Sequence, residues 1–532
     1  MHRPMVRSAE IFLPLDEDEA ALPRLAAQSV GVARSAVGRV EVVRRSLDAR
    51  KGHPIGWRLE VRVHPPGASE AASANTERER LDPPRRPSRP PRVVIVGSGP
   101  AGTFAALRLA DAGVAATLVD RGRPVQPRRH DLKALVAHGQ LDEDSNYCFG
   151  EGGAGTFSDG KLYTRTKDRR AVAEVLAQLV AHGADPEILV ESRPHIGSNR
   201  LPQVLLAMRA DLEARGVRYR WNDPVVDVVA TGGRIAAVRL RSGEELPADA
   251  VILAVGHSAR PVYELCLRRQ IAIVPKPFAI GARVEHPQPL IDRLQYGRAF
   301  QHPRLPAAFY HVTATVPAGA GERGVYSFCM CPGGWIVASA TESGGLCVNG
   351  MSLKRRDSPF ANSALVVSVE TADVEALGFS GPLAGLELQR RIEQAAFEAA
   401  GGGYRAPSQK VSDFLAGKAS DEALPSSYRP GVVPGRLDAA LPAPVVQGLR
   451  GALGRFDRMM RGFAGPTAQL VGVETRTSAP VRILRDPSSL QSPSLSGLFP
   501  AGEGAGYAGG IVSAAIDGLR VADAVLASGP PG

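Results

Sequence analysis

The sequence is poor in cysteine, lysine and long apolar runs. Only five of its 532 residues are cysteines, unevenly spaced, with one Cys-x-Cys pair at Cys329 and Cys331. So small a set excludes the disulfide framework of a small secreted protein and favours a reducing, cytoplasmic location. No segment offers the roughly 18 consecutive apolar residues of a membrane-spanning helix, and no apolar core of an export signal precedes Asp16. We therefore expect neither a membrane span nor a membrane partner.

Basic charge is plentiful, but arginine carries almost all of it. The net charge is +10, yet only 8 of the 64 basic residues are lysines. The arginines are scattered along the chain, which indicates a compositional bias more than a binding face for nucleic acid. The one dense basic run, residues 83–92, is rich in proline and is typical of a semi-rigid spacer. We expect no nucleic-acid partner, and the sequence leaves the oligomeric state open.

A glycine-rich loop follows the first strongly apolar strand pattern. Residues 93–96 are apolar, and Gly97, Gly99 and Gly102 then form Gly-x-Gly-x-x-Gly at the start of a helix pattern. Gly97 permits the tight turn, Gly99 lets backbone NH groups approach a diphosphate, and Gly102 lets the helix lie close to the strand. The pattern predicts a dinucleotide site whose loop is completed by Ser98, Pro100 and Ala101. The alternative is a glycine-rich turn of an ordinary α/β unit.

An acidic residue, Asp120, ends the next apolar strand and is followed by Arg121. A carboxylate at this position binds free ribose hydroxyls and repels a 2′-phosphate. We therefore expect FAD or NAD rather than NADP, with Asp120 and Arg121 in the site.

A second glycine-rich segment, residues 497–520, reads as a strand, an acidic turn, a glycine loop and a helix. Here the chain resembles the glutathione-reductase-type flavoprotein superfamily, in which a late Gly-Asp or Gly-Glu binds the ribityl chain of FAD. The resemblance places Gly502 and Glu503 at that position, although Gly-Glu is a mild departure from the commoner Gly-Asp. Gly510 and Ile511 would begin a helix that points at the N1/O2 edge of the flavin. The expected cofactor is therefore non-covalently bound FAD.

The same resemblance implies further cofactor contacts. A glycine-dense loop after residue 145 would pass beside the pyrophosphate and the flavin ring, with contacts from Gly153, Gly155 and Thr156. Val226 would contact the adenine, and Gly256 would end an Ala-x-Gly turn. His257 follows that turn and either approaches the flavin or makes a hydrogen bond at the start of a helix.

Polar side chains of the same loop are candidates for catalysis. Lys161 is expected to place a positive charge near flavin N1/O2 or a substrate carboxylate, and Asp159 and Glu151 to orient it or to exchange protons. The alternative is a lysine that only packs the loop. Arg476 and Arg482 are candidates for anchoring an anionic substrate, the alternative being surface or interdomain salt bridges.

Several segments are similar to a bacterial group described as uncharacterised FAD-dependent dehydrogenases, and the similarity covers nearly the whole chain. The segments are residues 149–162, 195–201, 328–334, 349–352 and 473–480. The resemblance implies an α/β fold: a Rossmann-like FAD-binding domain built from two chain segments, an inserted α+β substrate domain, and a small N-terminal α/β domain. The expected ranges are 1–65 for the N-terminal domain, 66–91 for a linker, 92–277 and 473–532 for the FAD-binding segments, and 278–472 for the substrate (cap) domain.

The Cys329-x-Cys331 pair suggests two other chemistries, and neither is expected. A zinc site needs a matching second pair of ligands, so no metal is predicted. Flavin disulfide reductases carry Cys-x4-Cys shortly after the first nucleotide motif, and this chain lacks it, which disfavours a redox dithiol.

The resemblance implies an FAD-dependent oxidoreductase that transfers a hydride between FAD and a small organic substrate held between the FAD and cap domains. We identify no second nucleotide loop between the two FAD segments, so electrons are expected directly from the substrate or from transiently docked NAD(P)H. One alternative is a flavin monooxygenase that uses NAD(P)H and oxygen. Another is an RNA-associated flavoprotein, or a flavin-binding protein without turnover.

Overall fold

The N-terminal residues fold into a small sheet covered by one helix. The computed structural model describes residues 6–68 and 81–528, so residues 69–80 of the predicted linker lie outside it. The first elements are β1 (Arg7–Pro14), α1 (Leu22–Val30), β2 (Arg39–Asp48) and β3 (Gly56–His64). The sheet is antiparallel with the order β1-β3-β2, and α1 buries its apolar side on it. α1 begins at Leu22, and Pro23, which has no NH to donate, suits its first turn.

The next stretch alternates strands with helices. Its elements are β4 (Val93–Val96), α2 (Pro100–Asp111), β5 (Thr117–Asp120), α3 (Val125–His138), α4 (Arg169–Ala181), α5 (Leu201–Ala214), β6 (Arg218–Trp221), β7 (Val225–Thr231), β8 (Arg234–Leu240), β9 (Glu245–Pro247), β10 (Ala250–Leu253) and α6 (Arg260–Arg268). β10, β4, β5 and β6 lie side by side in one parallel sheet. β7, β8 and β9 form a separate antiparallel sheet.

The cap is built on a larger sheet. Its elements are β11 (Ile273–Pro275), β12 (Phe278–Pro287), α7 (Gln288–Tyr296), β13 (Thr313–Ala318), β14 (Gly321–Cys331), β15 (Gly334–Ala338), β16 (Val348–Ser352), β17 (Phe360–Val369), α8 (Thr371–Ala376), α9 (Ala384–Ala399), β18 (Ala406–Lys410), α10 (Val411–Ala416), β19 (Val432–Pro434), α11 (Ala443–Met459) and β20 (Gln469–Glu474). Seven of these strands form one mostly antiparallel sheet in the order β13-β14-β17-β12-β20-β18-β19. The side chains of α9 and α11 pack on it and complete one apolar core.

The segment around β13 has two local features. Burial alternates from Phe309 onwards, but the ladder with β14 begins only at Thr313. The turn that follows contains the spacing Gly319-x-Gly321-x-x-Gly324. Because it joins two antiparallel strands and opens no helix, this second glycine pattern is not a nucleotide loop.

The chain then returns to the parallel sheet. β21 (Val481–Ile483) pairs with β11, β22 (Leu498–Pro500) adds to the sheet beside β10, and α12 (Ile511–Ser528) packs against α2. At the crossing of these two helices, a Cβ on Gly518 would lie 2.1 Å from the carbonyl oxygen of Ala101, so only glycine permits this approach. The sheet order β22-β10-β4-β5-β6 joins both chain segments around the inserted cap and confirms the expected α/β fold with a Rossmann-like core. No helix among the described residues is long and apolar enough to cross a membrane.

Candidate functional site

A cavity of about 440 Å³ lies at the carboxyl ends of β4, β5 and β10. Open α/β sheets bind ligands at this edge. Its wall includes the first glycine loop with its neighbours, the loop around residues 144–158, residues 224–226, the stretch around residues 254–262, the segment after β22, and part of the cap. The cap residues on the wall are Phe328, Cys329 and Asn349, and Arg476 and Thr477 follow directly after the last cap strand.

The first glycine loop has the close backbone contacts that the sequence pattern predicted. Gly97 has a φ of +105°, and a Cβ there would lie 2.3 Å from the carbonyl oxygen of Ala254. A Cβ on Gly102 would lie 1.9 Å from the carbonyl oxygen of Gly97, so this residue allows α2 to lie against β4. Gly99 and Gly153 face each other across the wall, where a Cβ on Gly153 would lie 3.3 Å from the Cα of Gly99. The result is a cradle of bare backbone into which a diphosphate fits.

Asp120 lies on the wall at the end of β5, and its carboxylate already accepts hydrogen bonds from within the protein. Its carboxylate accepts hydrogen bonds from the backbone NH of Ser98 (2.9 Å), the Ser98 hydroxyl (2.6 Å) and the NH of Gly122 (2.8 Å). A carboxylate offers about four acceptor positions. The three internal bonds therefore fix its orientation and leave one position for a ribose hydroxyl.

The glycine-dense loop that follows is held by one buried arginine that the sequence analysis missed. Arg128, on α3, donates to the carbonyl oxygens of Asn146 (2.8 Å), Tyr147 (3.0 Å), Glu151 (2.8 Å) and Gly153 (2.9 Å). Burial lowers the pKa of this guanidinium to about 10, so it stays charged at neutral pH. The planar guanidinium of Arg128 thus stabilises the conformation of the glycine-dense loop.

The second glycine segment meets the first from the opposite side. Gly502, Glu503, Gly510 and Ile511 all lie on the wall, and a Cβ on Gly510 would meet nothing within 4 Å. Ile511 is the first residue of α12, so the positive end of this helix adjoins the cavity. Burial raises the pKa of Glu503 to about 7, against the opposing effects of Lys276 and a backbone hydrogen bond from Gly510. Its carboxyl group can therefore donate or accept a hydrogen bond near neutral pH.

Most of the residues expected to bind the cofactor meet in this one cavity. Those on the wall are Gly97, Gly99, Pro100, Ala101, Asp120, Arg121, Gly153, Gly155, Val226, Gly256, Gly502, Glu503, Gly510 and Ile511. Three others lie behind it. Ser98 holds Asp120, Gly102 permits the contact of α2 with β4, and Thr156 donates to the carbonyl oxygen of Glu151 at 2.5 Å. These three residues support the wall, and their direct contact with FAD stays a prediction.

The three candidates for catalysis are also absent from the wall. Glu151 is buried, accepts from the NH of Val125 (2.8 Å) and faces Arg209 (3.3 Å), so it caps the start of α3. Asp159 is buried between Lys161 (3.1 Å) and Arg356 (2.8 Å). Although burial opposes it, these two cations hold the pKa of Asp159 well below its usual range. Asp159 is therefore placed to orient Lys161, one of its two expected roles, whereas Glu151 faces Arg209 and not Lys161. Proton exchange by either carboxylate stays a prediction.

Lys161 does not line the cavity, but it contacts Cys329, which does. Its Nζ lies 3.8 Å from the Sγ of Cys329 and 3.6 Å from the Sγ of Cys331. Burial would lower the pKa of this ammonium group, but Asp159 and the two cysteines raise it, so it remains a cation. The expected charge is present, but it faces two sulfur atoms.

The two arginines considered as substrate anchors have different positions. Arg476 lies on the wall but is buried, pairs with Glu393 (2.6 Å) and also donates to Thr341. Arg482 is exposed, lies over the ring of Tyr507 and is not on the wall. The salt-bridge alternative therefore describes Arg476, whereas Arg482 does not line the cavity.

His257 lies on the wall just before α6. Its Nδ1 is 2.9 Å from the hydroxyl of Ser258. Burial, with the nearby Arg476, lowers the pKa of this imidazole to about 4. It is therefore a neutral hydrogen-bonding group at pH 7.

Some wall residues carried no recognised signal in the sequence. Arg241 pairs with Asp144 (2.6 Å), which Arg121 also contacts (2.6 Å), and one arginine among 56 is not distinctive. The cap residues Phe328, Cys329 and Asn349 had a usable signal, since they lie in segments that resemble the bacterial dehydrogenase group. Among the described residues, no group of three or more His, Cys, Asp or Glu side chains is arranged to hold a metal ion.

The cavity suits FAD by its shape and its chemistry. The bare backbone at Gly99 and Gly153 leaves room that side chains would fill, a carboxylate stands where a ribose would lie, and the start of α12 closes the opposite side. These are the features by which Rossmann-like folds bind a dinucleotide.

Comparison with known proteins agrees with this assignment. Residues 91–139 match an FAD binding domain, residues 194–359 match FAD dependent oxidoreductases, and residues 277–477 match the C-terminal domain-like region of an FAD-dependent protein family. Residues 5–64 match a domain of unknown function.

Similar whole chains are also known. An uncharacterized protein of Clostridium beijerinckii is 40% identical over 536 residues, covering 98% of each chain. Among solved structures, the flavin-dependent brominase Bmp2 is 12% identical, with 83% of this chain and 81% of that one covered and a TM-score of 0.38. Glycine oxidase from Bacillus cereus is 10% identical, with 82% and 95% covered and a TM-score of 0.34. These two likenesses are too weak to inform the reaction.

The family matches confirm the expectation of an enzyme that uses FAD. The chain belongs to the FAD-dependent oxidoreductase family, together with the uncharacterized Clostridium beijerinckii protein.

Proposed function

We propose that this oxidoreductase transfers a hydride between FAD and a small organic substrate that binds where the cap meets the FAD-binding domain. One observation carries the proposal: Phe328, Cys329 and Asn349 of the cap share a single cavity wall with both glycine segments. Bound FAD supplies the hydride acceptor or donor. The two-segment sheet around an inserted cap also supports membership in the glutathione-reductase-type superfamily.

The cap end of the cavity offers hydrogen bonds more than free charge. The charge of Arg476 is compensated by Glu393, and His257 is neutral at pH 7. Asn349 accepts a hydrogen bond from the NH of Gly350 (2.7 Å) with its Oδ1, so its amide NH₂ is the group that can donate to a substrate. We therefore favour a substrate held mainly by hydrogen bonds and apolar contacts over one anchored by an ion pair.

The electron source and the compartment belong to the same proposal. We expect reduction either by the organic substrate itself or by transiently docked NAD(P)H. A cytoplasmic location is supported by the five cysteines, none of which forms a disulfide in the structure.

The test is anaerobic reduction of the purified holoenzyme, followed by flavin absorbance, against NADH, NADPH and a panel of hydroxy acids, amino acids and other small metabolites. We expect at least one compound to bleach the flavin at a saturable rate. A flavin that dithionite reduces but no compound does would contradict the proposal. Rapid NADPH oxidation that consumes oxygen would favour the monooxygenase alternative instead.

A pair of variants locates the substrate once a donor is known. Phe328→Ala removes an aromatic ring from the cap wall, whereas Phe309→Ala removes one that is 36% exposed elsewhere in the cap. We expect Phe328→Ala to raise the donor concentration at half-maximal reduction rate about tenfold, the size of effect expected from losing a buried apolar contact, with FAD retained. Equal behaviour of the two variants would contradict substrate binding at the cap end.

A further inference from the structure

The two cysteines at the end of β14 differ sharply in environment. Cys329 lies on the cavity wall, whereas Cys331 is completely buried behind it. Cys329 has a φ of +47°, and the register of β14 with β17 shifts between Phe328 and Cys331. A left-handed backbone at a non-glycine residue is strained and persists only where its surroundings enforce it. Arg283 does so here by donating to the carbonyl oxygen of Cys329 at 2.8 Å.

One cation serves both sulfur atoms. The Nζ of Lys161 is 3.8 Å from the Sγ of Cys329 and 3.6 Å from that of Cys331. Lys161 is held by Asp159 (3.1 Å), which Arg356 holds in turn (2.8 Å). Because both sulfurs contact the same nitrogen, they lie on the same side of the bent strand.

The surroundings make the pair asymmetric. The Cys331 side chain, together with Lys161 and Arg283, lowers the pKa of Cys329 well below its usual value. Cys329, together with burial, raises the pKa of Cys331, whose thiol donates to the backbone carbonyl oxygen of Cys329 at 3.3 Å. A wall-facing thiolate beside a buried thiol is the arrangement of a redox-active cysteine with its resolving partner. The charged and titratable groups that face the pair are Lys161, Arg283, Asp159, Glu474 and Glu503.

We infer that Cys329 and Cys331 form a dithiol–disulfide couple that exchanges two electrons with the flavin bound in the adjoining cavity. The inference rests on the proposed function, because it needs a bound, reducible FAD. Forming the Sγ–Sγ bond from the Cys329 thiolate and the Cys331 thiol releases two electrons and one proton. Two-electron reduction of FAD to its anionic reduced form takes up two electrons and one proton, so the exchange balances without another reactant. The fully reduced holoenzyme then stores four electrons.

The two cysteines of this couple lie at a different place in the chain from those of flavin disulfide reductases. Flavin disulfide reductases place their cysteines just after the first nucleotide loop, and that pattern is absent here. Cys329 instead arrives from the cap. Cys329 and Glu503 of the second glycine segment line the same cavity, and the negative charge of Cys329 helps to raise the pKa of Glu503.

The test is an anaerobic dithionite titration of air-oxidised holoenzyme, with the electrons taken up counted per FAD. We expect four electrons for the natural protein and two for Cys329→Ser and for Cys331→Ser. Cys148→Ser is the matched control, since Cys148 also lies on the cavity wall but its Sγ contacts the carbonyl oxygen of Ser339 (3.8 Å), and it should still take up four. Retained flavin absorbance shows that each variant is folded. Two electrons in the natural protein would overturn the inference, and so would loss of the extra two in the Cys148 variant.

A mass measurement gives a readout that does not depend on activity. Trypsin releases residues 324–354 as one peptide that contains Cys329, Cys331 and Cys347. After alkylation of denatured protein, this peptide should carry one alkyl group from the oxidised holoenzyme and three from the reduced one. Three groups in both states would overturn the inference, whereas a preparation that holds no FAD would contradict the proposed function itself.

Lys161 should act as a positioning residue for this thiolate. We expect Lys161→Met to slow alkylation of Cys329 by iodoacetamide at pH 7 about tenfold, because the thiolate is the reactive form. Lys167→Met, at an exposed position in the same segment, should leave the rate unchanged. Equal rates in the two variants would show that Lys161 does not stabilise the thiolate and would overturn this part of the inference.

Discussion

At the scale of single residues, the site depends on glycines whose missing Cβ permits close backbone contacts, and on side chains that internal hydrogen bonds hold in place. Gly97 has no Cβ where one would lie 2.3 Å from the carbonyl oxygen of Ala254. Asp120 is fixed by three internal hydrogen bonds before any ligand arrives. Such preorganisation reduces the entropy lost when a cofactor binds.

Gly97→Ala tests this close contact. We expect a loss of about 1–3 kcal/mol in stability from the overpacked turn, and an FAD affinity lower by about tenfold or more, measured by thermal unfolding and by FAD titration. Gly113→Ala is the control, because Gly113 also has a positive φ (+77°) but nothing lies within 4 Å of its Cβ position. If both variants bound FAD equally, backbone strain at a positive φ would account for any loss of affinity. The contact with the carbonyl oxygen of Ala254 would then have no effect on FAD binding.

Titration of Glu503 makes the stability of the FAD-free protein depend on pH, in a direction that follows from its raised pKa. Burial raises its folded-state pKa from 4.5 to about 7. Between these values the folded FAD-free protein keeps a proton that the unfolded chain releases, so this group lowers stability as pH rises from about 4.5 to 7. The effect should be about 1–3 kcal/mol.

Chemical denaturation of FAD-free protein at pH 5 and pH 8 measures this effect. The stability lost between these pH values should be smaller in Glu503→Gln than in the natural protein. An identical loss in both proteins would mean that Glu503 does not titrate in this range.

At the scale of elements, α3 and the loop after it form one unit through Arg128. Its guanidinium is fully buried and donates to four carbonyl oxygens of the loop. Replacing it leaves buried acceptors without donors, which destabilises a protein strongly.

We expect Arg128→Met to lower stability by about 3 kcal/mol or more and to weaken FAD binding, as measured by thermal unfolding and FAD titration. Arg129→Met changes the exposed neighbour on the same helix and should change neither quantity. A variant at position 128 that kept full FAD affinity would show that the loop forms without this arginine.

Sequence reasoning reached the local elements but not these long-range contacts. The strand before Gly97, the helix after it and Asp120 follow one another in the chain, so their spacing predicts their geometry. Arg128 gives no such signal, since its partners lie 18 to 25 residues away and any of the 56 arginines could have filled the role. The charge of Lys161 can be predicted from the sequence. The groups that this charge faces cannot, because they depend on how the cap folds over the loop.

At the scale of the whole molecule, a buried ion network joins the cap to the FAD-binding domain. Glu393 on α9 of the cap pairs with Arg260 on α6 (3.0 Å) and with Arg476 after β20 (2.6 Å). Although burial alone would raise it, the two guanidiniums lower the pKa of Glu393 to about 2. The carboxylate therefore contributes stability above pH 4.5 that is lost as the pH falls towards 2.

Glu393→Gln should lower stability by about 3–5 kcal/mol at pH 7, because buried Arg476 loses its carboxylate partner and buried Arg260 keeps only Glu342. The variant should also lose less stability than the natural protein on acidification from pH 4.5 to 2. Glu398→Gln, at an exposed position on the same helix, is the control and should match the natural protein. Urea denaturation across this pH range makes the comparison, and equal behaviour of the two variants would contradict a structural role for the network.

The central claim is that one cavity, formed by both glycine segments and the cap, holds one FAD per chain without a covalent bond. The most direct measurement is the amount of FAD released when the purified protein is denatured, relative to protein concentration. The account predicts one FAD released per chain, with none left attached to the polypeptide. Protein that contains no flavin and binds none when FAD is added would contradict it.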